Sequence, residues 1–334
     1  MDTGVEQGNR LVEPESQLLL SVVVPVFNED DVLSEFYSRL SSVLAGIEMR
    51  HEIVFVNDGS VDKTLSVIDK LRCNDPNVAV IDLTRNFGKE IALTAGLDHA
   101  RGDAVINIDA DLQDPPELIP QLVSKWQEGF DVVYATRTER KGESGLRKLS
   151  ASIFYRLIHW SASVQIPQDT GDYRLLSRRA TNALLRLREQ HRFMKGLFSW
   201  IGYPQTGIPY QRDPRGAGCS KWNYWQLWNF ALEGLTSFTT VPLKVASYVG
   251  AITASLAFLY GLKIIGTTLI FGDPVAGYPT LMVTVLFIGG VQLLSIGVLG
   301  EYMARIFDES KKRPLYLVKT YLPAESIESD DPHH

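Results

Sequence analysis

The sequence predicts an α/β protein, a doubly wound and mostly parallel sheet followed by interfacial amphipathic helices and two C-terminal transmembrane helices. Three observations carry this expectation. From Leu18 onward, short β-branched runs alternate with stretches of helical periodicity. Carboxylates recur directly after those runs, on the rim where an open parallel sheet presents its ligand site. The stretch from Val245 to Leu299 contains only Lys263 and Asp273 as charged residues, although 22% of the whole chain is charged.

Taken in order, residues 1–17 are polar, carry no apolar core and are expected to be a disordered lead-in, neither signal peptide nor anchor. The folded α/β unit is expected over 18–220. Its strands are read at Leu18 to Val24, Glu52 to Val56, Val78 to Leu83, Ala104 to Ile108 and Asp131 to Ala135. Helices fill the gaps: Asp31 to Leu44, with Val32, Phe36, Leu40 and Val43 on one face, then Lys63 to Leu71, Glu90 to Ala100 and Glu117 to Trp126. Beyond Arg137 the rhythm weakens. A segment from Lys148 to Ile166 has the spacing of either an interfacial helix or an ordinary domain helix.

Residues 221–244 are expected to form an interfacial amphipathic helix, because Trp222, Tyr224, Trp225, Trp228 and Phe230 crowd its start and aromatic rings favour the membrane–water boundary. Within 245–305, Val245 to Phe271 and Thr280 to Leu299 are each near or above the roughly 20 apolar residues that span a hydrocarbon core. Their connector lacks Lys and Arg, whereas Lys244, Arg305, Lys311, Lys312 and Arg313 flank the outer ends. The positive-inside rule then puts both termini, the α/β unit and a tail at 306–334 in the cytoplasm, in a multi-pass inner-membrane protein. Lys263 is expected to snorkel to the far interface. Ala246, Gly250 and Ala254 form a small-residue stripe suited to contact between the two spans or between protomers of a homo-oligomer.

A net charge of −6 gives no reason to expect a nucleic-acid partner. Two distant cysteines, Cys73 and Cys219, fit a reduced compartment and no metal cluster. No Gly-x-Gly-x-x-Gly follows the first strand and no P-loop is present, which sets aside dinucleotide oxidoreductases and P-loop NTPases. Asp109 and Asp111, one residue apart at a strand end, can face one cation; hard oxygen ligands without nearby His or Cys suit Mg²⁺ or Mn²⁺, with a nucleotide diphosphate completing the shell. Asp58, in Asp-Gly-Ser, either caps a helix or, from its place on the rim, contacts a base or ribose. Arg212, Arg215 and Lys221, beside the aromatic segment, would offset repulsion between two phosphorylated substrates.

Val22 to Glu29 (Val-Val-Val-Pro-Val-Phe-Asn-Glu), Val56 to Ser60 (Val-Asn-Asp-Gly-Ser), Arg85 to Gly88 (Arg-Asn-Phe-Gly) and Asp109 to Pro115 together resemble the family 2 glycosyltransferases of GT-A fold. Thr170 to Leu175, Arg212, Arg215 and Ser220-Lys221-Trp222 resemble the polyprenyl-phosphate branch, and two C-terminal spans bring it nearest to the bactoprenol glucosyltransferases. The resemblance implies that Pro25, Glu29 and Asp58 hold the nucleoside, Asp109 contacts the nucleotide sugar, and Asp111 binds the metal with Gln113 beside it. Asp172 falls at the catalytic base, while Arg212, Arg215, Ser220 and Lys221 fall in the phosphate-handling segment; Arg137 is counted among the substrate-binding candidates. Lys89 stands where relatives often carry His, and Cys219 precedes the Ser-Lys pair.

The implied reaction is inverting transfer of glucose from UDP-glucose to undecaprenyl phosphate. Because that phosphate is already anionic, Asp172 is expected to orient the acceptor and steady charge on the sugar more than to remove a proton. Mannose transfer from GDP-mannose, or a non-catalytic nucleotide-sugar-binding scaffold, are the alternatives. A processive synthase would carry Gln-x-x-Arg-Trp, which is absent.

Overall fold

The computed structural model describes residues 18–137, 170–190, 192–210, 241–271 and 277–328. Eight strands form one mixed sheet: β1 (Leu19–Val26), β2 (Arg50–Asn57), β3 (Val78–Leu83), β4 (Ala104–Asn107), β5 (Val132–Arg137), β6 (Thr170–Ser177), β7 (Gln205–Tyr210) and β8 (Val318–Leu322), in the order β7-β5-β6-β4-β1-β2-β3-β8. All five expected strands and all four expected helices are present. The helices are α1 (Leu33–Leu44), α2 (Thr64–Asn74), α3 (Lys89–His99) and α4 (Ile119–Gln127), the last entered through a 3₁₀ turn at Pro116–Leu118.

The sheet has three strands beyond the five expected, and two of its eight strands run against the others. β1, β2, β3 and β4 run parallel, but β6 inserts antiparallel between β4 and β5, and β8 adds antiparallel to β3. The Thr170 to Leu175 motif therefore lies within a strand.

Side chains alternate across the sheet and build two cores. Val22, Val24, Ile53, Phe55 and Ile106 meet α1, α2 and α4 through Phe36, Leu40, Ile68 and Leu122. Val23, Val54, Val56, Ile81 and Val105 meet α3, α5 (Arg178–Leu185) and α6 (Met194–Trp200) through Leu93, Leu97, Leu184 and Leu197. The chain steps outward from β1 to β2 to β3 and then returns to the other side of β1 with β4, so β1 and β4 flank the switch point of the winding. Loops leaving their carboxyl ends diverge there and open a crevice.

Two long helices follow, α7 (Val241–Phe271) and α8 (Tyr278–Ser310), packed against each other. They contain both hydropathic stretches expected from the sequence. Among the described residues one segment, Phe287–Ser310, is long and apolar enough to cross a membrane. Residues 318–322, expected in a tail, instead form the β8 edge of the sheet. Ala324 and α9 (Glu325–Glu328) pack behind it. Residues 1–17, the segment from Lys148 to Ile166, Cys219, Trp222 and most of the interfacial helix at 221–244 lie outside the described residues.

Candidate active site

The rim after β1 and β2 is latched by side-chain-to-backbone bonds. Asn28, at φ 54°, donates its N–H to Ser60 Oγ at 3.0 Å and accepts from the Val61 N–H at 2.9 Å. The Glu29 N–H donates to Thr64 Oγ1 at 2.9 Å, fixing Glu29 over the crevice. Pro25 is tolerated in central strand β1 because the β4 pairing stops at Val23, so its missing N–H leaves no ladder bond unmade.

Asp58 does not cap α2. It is buried, and its two carboxylate oxygens accept the N–H groups of Phe87 at 2.7 Å and Gly88 at 2.9 Å, which ties the Arg-Asn-Phe-Gly loop to the end of β2. Burial raises its pKa, opposed by those two amides. Gly59 lets the loop come this close: at φ 68°, a Cβ there would stand 2.5 Å from the Arg85 carbonyl carbon. The result is a fixed backbone at the first turn of α3, where Lys89 begins.

β4 ends at Asn107, so Asp109 and Asp111 lie in the following loop. They still share a side, since both are half-buried while Ala110 and Leu112 between and after them are buried. The Asp111 carboxylate accepts the Gln113 N–H at 3.1 Å, and Asp114 accepts the Tyr210 hydroxyl at 2.5 Å, so the loop is held from β7. Arg137 ends β5, paired with Tyr210.

The antiparallel β6 brings Asp172 to this place. Asn107 pairs with Arg174, and two residues further in each direction the same register sets Asp109 beside Asp172. The Lys89 ammonium bridges them, 2.6 Å from Asp109 Oδ2 and 2.9 Å from Asp172 Oδ2. Burial would lower the Lys89 pKa, but Asp109 and Asp172 outweigh it and raise it well above the usual value. Burial would likewise raise Asp172, but Lys89 and Lys195 hold it below the ordinary carboxylate range.

Behind Asp172, on the α3 and α6 side of the sheet, lie Asn107, Arg174, Glu90 and Lys195. Arg174 donates to the Gly171 carbonyl at 2.8 Å and stacks 3.8 Å from the Phe198 ring centroid; burial lowers its pKa to about 10. Burial, then the negative charge of Asp172, pushes Glu90 up to about 8, and burial lowers Lys195. Asp172 Oδ1, Glu90 Oε2, Arg174 Nε and both amide atoms of Asn107 are shielded and have no hydrogen-bond partner among the described residues. Buried polar groups in this state are what a hydroxyl-rich ligand would satisfy. Arg174 belongs to the Thr170 to Leu175 motif, but nothing in the sequence pattern marks Asn107, Glu90 or Lys195, which only the β4–β6 register and the packing of α6 bring near Asp172.

The donor set fits a hard divalent cation that draws much of its shell from elsewhere. Asp109 and Asp111 offer oxygens only, and no group of three or more His, Cys, Asp or Glu that could cage an ion occurs among the described residues. Arg212, Arg215, Ser220 and Lys221 lie outside the described residues.

Residues 21–185 match the description Glycosyl transferase family 2, and residues 241–306 match GtrB C-terminal hairpin. The chain is 50% identical over 313 residues to an uncharacterized glycosyltransferase of Synechocystis, covering 92% of this chain and 98% of that one. It is 51% identical over 300 residues to the bactoprenol glucosyl transferase of Shigella phage SfV, covering 90% and 98%. Among solved structures, mannosyl-3-phosphoglycerate synthase from Rubrobacter xylanophilus overlays with a TM-score of 0.44 at 20% identity, over 65% of this chain and 71% of that one. The family match over the sheet, and identity of this extent to whole glycosyltransferases, lead to one assignment: the chain belongs to glycosyl transferase family 2.

Proposed function

We propose that this enzyme is an inverting glucosyltransferase that moves glucose from UDP-glucose onto a polyprenyl phosphate such as undecaprenyl phosphate, at the cytoplasmic face of the membrane. The observation that carries the reading is 51% identity to a bactoprenol glucosyl transferase along 90% of this chain, which takes in the sheet, the rim and the C-terminal hairpin together.

In this reading Pro25, Glu29 and Asp58 form the nucleoside end of the crevice, and Asp109, Gln113 and Arg137 contact the donor. Asp111, with Asp109, would hold Mg²⁺ or Mn²⁺, whose charge would stabilise the departing diphosphate. An oxygen of the acceptor phosphate forms the new bond to the anomeric carbon as the bond from that carbon to the diphosphate breaks, and the electron pair leaves with UDP. A single displacement inverts the configuration. Asp172 is a weak base because Lys89 and Lys195 keep it ionised, and the acceptor has little need of one. Its fixed negative charge favours the positive character that grows on the sugar ring. Arg212, Arg215, Ser220 and Lys221 would receive the lipid phosphate.

A two-span membrane hairpin is supported by the length of α7 and α8 and by the apolar side chains they expose, including Ile252, Leu256, Leu259, Leu293, Leu294 and Ile296. Because β8 rejoins the catalytic sheet directly after α8, that topology keeps the C-terminal segment on the catalytic side.

The test is to incubate the purified full chain with undecaprenyl phosphate and labelled UDP-glucose, other UDP-sugars and GDP-mannose, with Mn²⁺, Mg²⁺ or EDTA. The expected product is a β-linked glucosyl lipid that requires metal. GDP-mannose as the preferred donor would favour the mannose alternative, and the absence of any lipid product with every donor would overturn the proposal.

A further inference from the structure

Lys89 is the first residue of α3; the N–H groups of Phe87 and Gly88 just before it are held by Asp58, and its ammonium is clamped by Asp109 at 2.6 Å and Asp172 at 2.9 Å. It thus sits on a carboxylate that the proposed donor site needs for the cation. From this geometry, and resting on the reading of the site above, we propose that Lys89 is a stand-in for the divalent ion: it occupies Asp109 while the crevice is empty and makes metal binding conditional on the nucleotide.

The physical case is one of like charges. A doubly charged cation approaching Asp109 and Asp111 meets an ammonium already in contact with Asp109, and at such separations the repulsion between them is large compared with thermal energy. The carboxylates near the ammonium are shared with it, and Lys195 and Arg174 add further positive charge at Asp172. A nucleotide diphosphate changes the balance, because its negative charge offsets both cations and offers Lys89 a new partner. Metal and nucleotide therefore bind with positive coupling, and the coupling is reciprocal. Lys89 acts here as a positioning residue. It also keeps the empty site from holding two adjacent uncompensated carboxylates.

A purely structural ion pair predicts the opposite sign on mutation. Removing a structural lysine loosens the loop and weakens metal binding, whereas removing a competitor strengthens it. The measurement is Mn²⁺ binding to the full chain in detergent, read from the electron paramagnetic resonance signal of free Mn²⁺, with and without UDP. The wild type is expected to bind Mn²⁺ weakly alone and at least about tenfold more tightly with UDP. Lys89→Met and Lys89→Gln are expected to bind Mn²⁺ alone about tenfold more tightly than the wild type, and to lose most of the enhancement by UDP. Equal or weaker Mn²⁺ binding by both variants would overturn the proposal. So would a wild type that binds Mn²⁺ equally well with and without UDP, a result that depends on no variant folding. Asp111→Asn separates the two levels: if it abolishes Mn²⁺ binding while the Lys89 variants match the wild type, the metal site stands and the role of Lys89 falls. If the wild type binds no Mn²⁺ even with UDP, the metal reading itself fails and takes the proposal with it.

Discussion

Glu90 is the residue whose environment differs most from what its place in the sequence suggests. It lies in the first turn of α3, where a glutamate ordinarily serves the helix dipole from the surface. Instead, burial and the adjacent Asp172 push its pKa from 4.5 up to about 8, against the pull of Lys89, Lys195 and the Met194 N–H. Asp172 is driven the other way, so the two carboxyls divide the work, one ionised and one protonated at neutral pH. The folded state holds the Glu90 proton more tightly than the unfolded chain does. The stabilisation this gives is complete below about pH 4.5 and is lost as pH climbs through about 8. Glu90→Gln resembles the protonated form and can still accept the Met194 N–H, so it should be insensitive over that window. Thermal melts of both proteins from pH 5 to pH 9 should show the wild type falling relative to the variant by several degrees. Parallel curves would mean that Glu90 is ionised throughout.

At the scale of elements, α3 shows how closely a helix must approach the sheet to place Lys89 and Glu90. Ala92 through Leu97 are all buried, and small residues on this helix let it settle over β1 and β2. A Cβ on Gly96 would stand 2.2 Å from Val23 Cγ1 and 3.0 Å from Val56 Cγ2. Alanine would gain about 1 kcal/mol of helix propensity, but overpacking against a stiff, fully buried valine costs about 1–3 kcal/mol. Gly96→Ala should therefore lower stability by up to about 2 kcal/mol in denaturant unfolding, and the added Val23→Ala should cost less in that background than alone. Additive losses would show that the helix shifts to make room. Such elements were legible because burial on both faces of β1 to β4 writes continuous β-branched runs and the covering helices keep their periodicity. The candidate rim was legible for the same reason, since Pro25 lies near the end of β1, and Glu29, Asp58, Asp109 and Asp111 come within a few residues of strand ends. β6 was not read as a strand, because its partners β4 and β5 are remote in sequence and their pairing leaves no local signature. With β6 unplaced, Asp172 could be named from a motif but not seated beside Asp109, and the buried partners Asn107, Glu90 and Lys195 stayed invisible.

For the whole molecule, the decisive connection is the one from α8 back into the sheet. After Ser310 the chain returns along the catalytic unit, with the Gln190 side chain donating to the Arg313 carbonyl at 2.6 Å and the Gln190 N–H donating to Glu309 at 2.6 Å. The Tyr316 hydroxyl donates to Asp98 at 2.7 Å, Lys319 pairs with the buried Asp82 at 3.2 Å, and Arg72 pairs with Glu325 at 3.1 Å. β8 then covers the free edge of β3, whose residues Val78–Leu83 are all buried. Each polar link is worth only about 1 kcal/mol, yet together they join the long helices to β3, the neighbour of β2 in the sheet. A chain ending at Pro314 would lose β8 and leave the β3 edge unpaired, a template for aggregation. Hydrogen exchange should show the change locally. Amides of β3 that pair with β8, and the Thr84 N–H that now donates to the Leu317 carbonyl at 3.0 Å, should lose at least about tenfold in protection, a little over 1 kcal/mol, whereas the central amides of β1 keep theirs. Tyr316→Phe in the full-length chain, which removes one link and leaves the edge covered, should produce a much smaller loss confined to the α3 end near Asp98. If β3 kept its full protection in the shortened chain, the return strand would be an accessory to the sheet rather than a part of its stability.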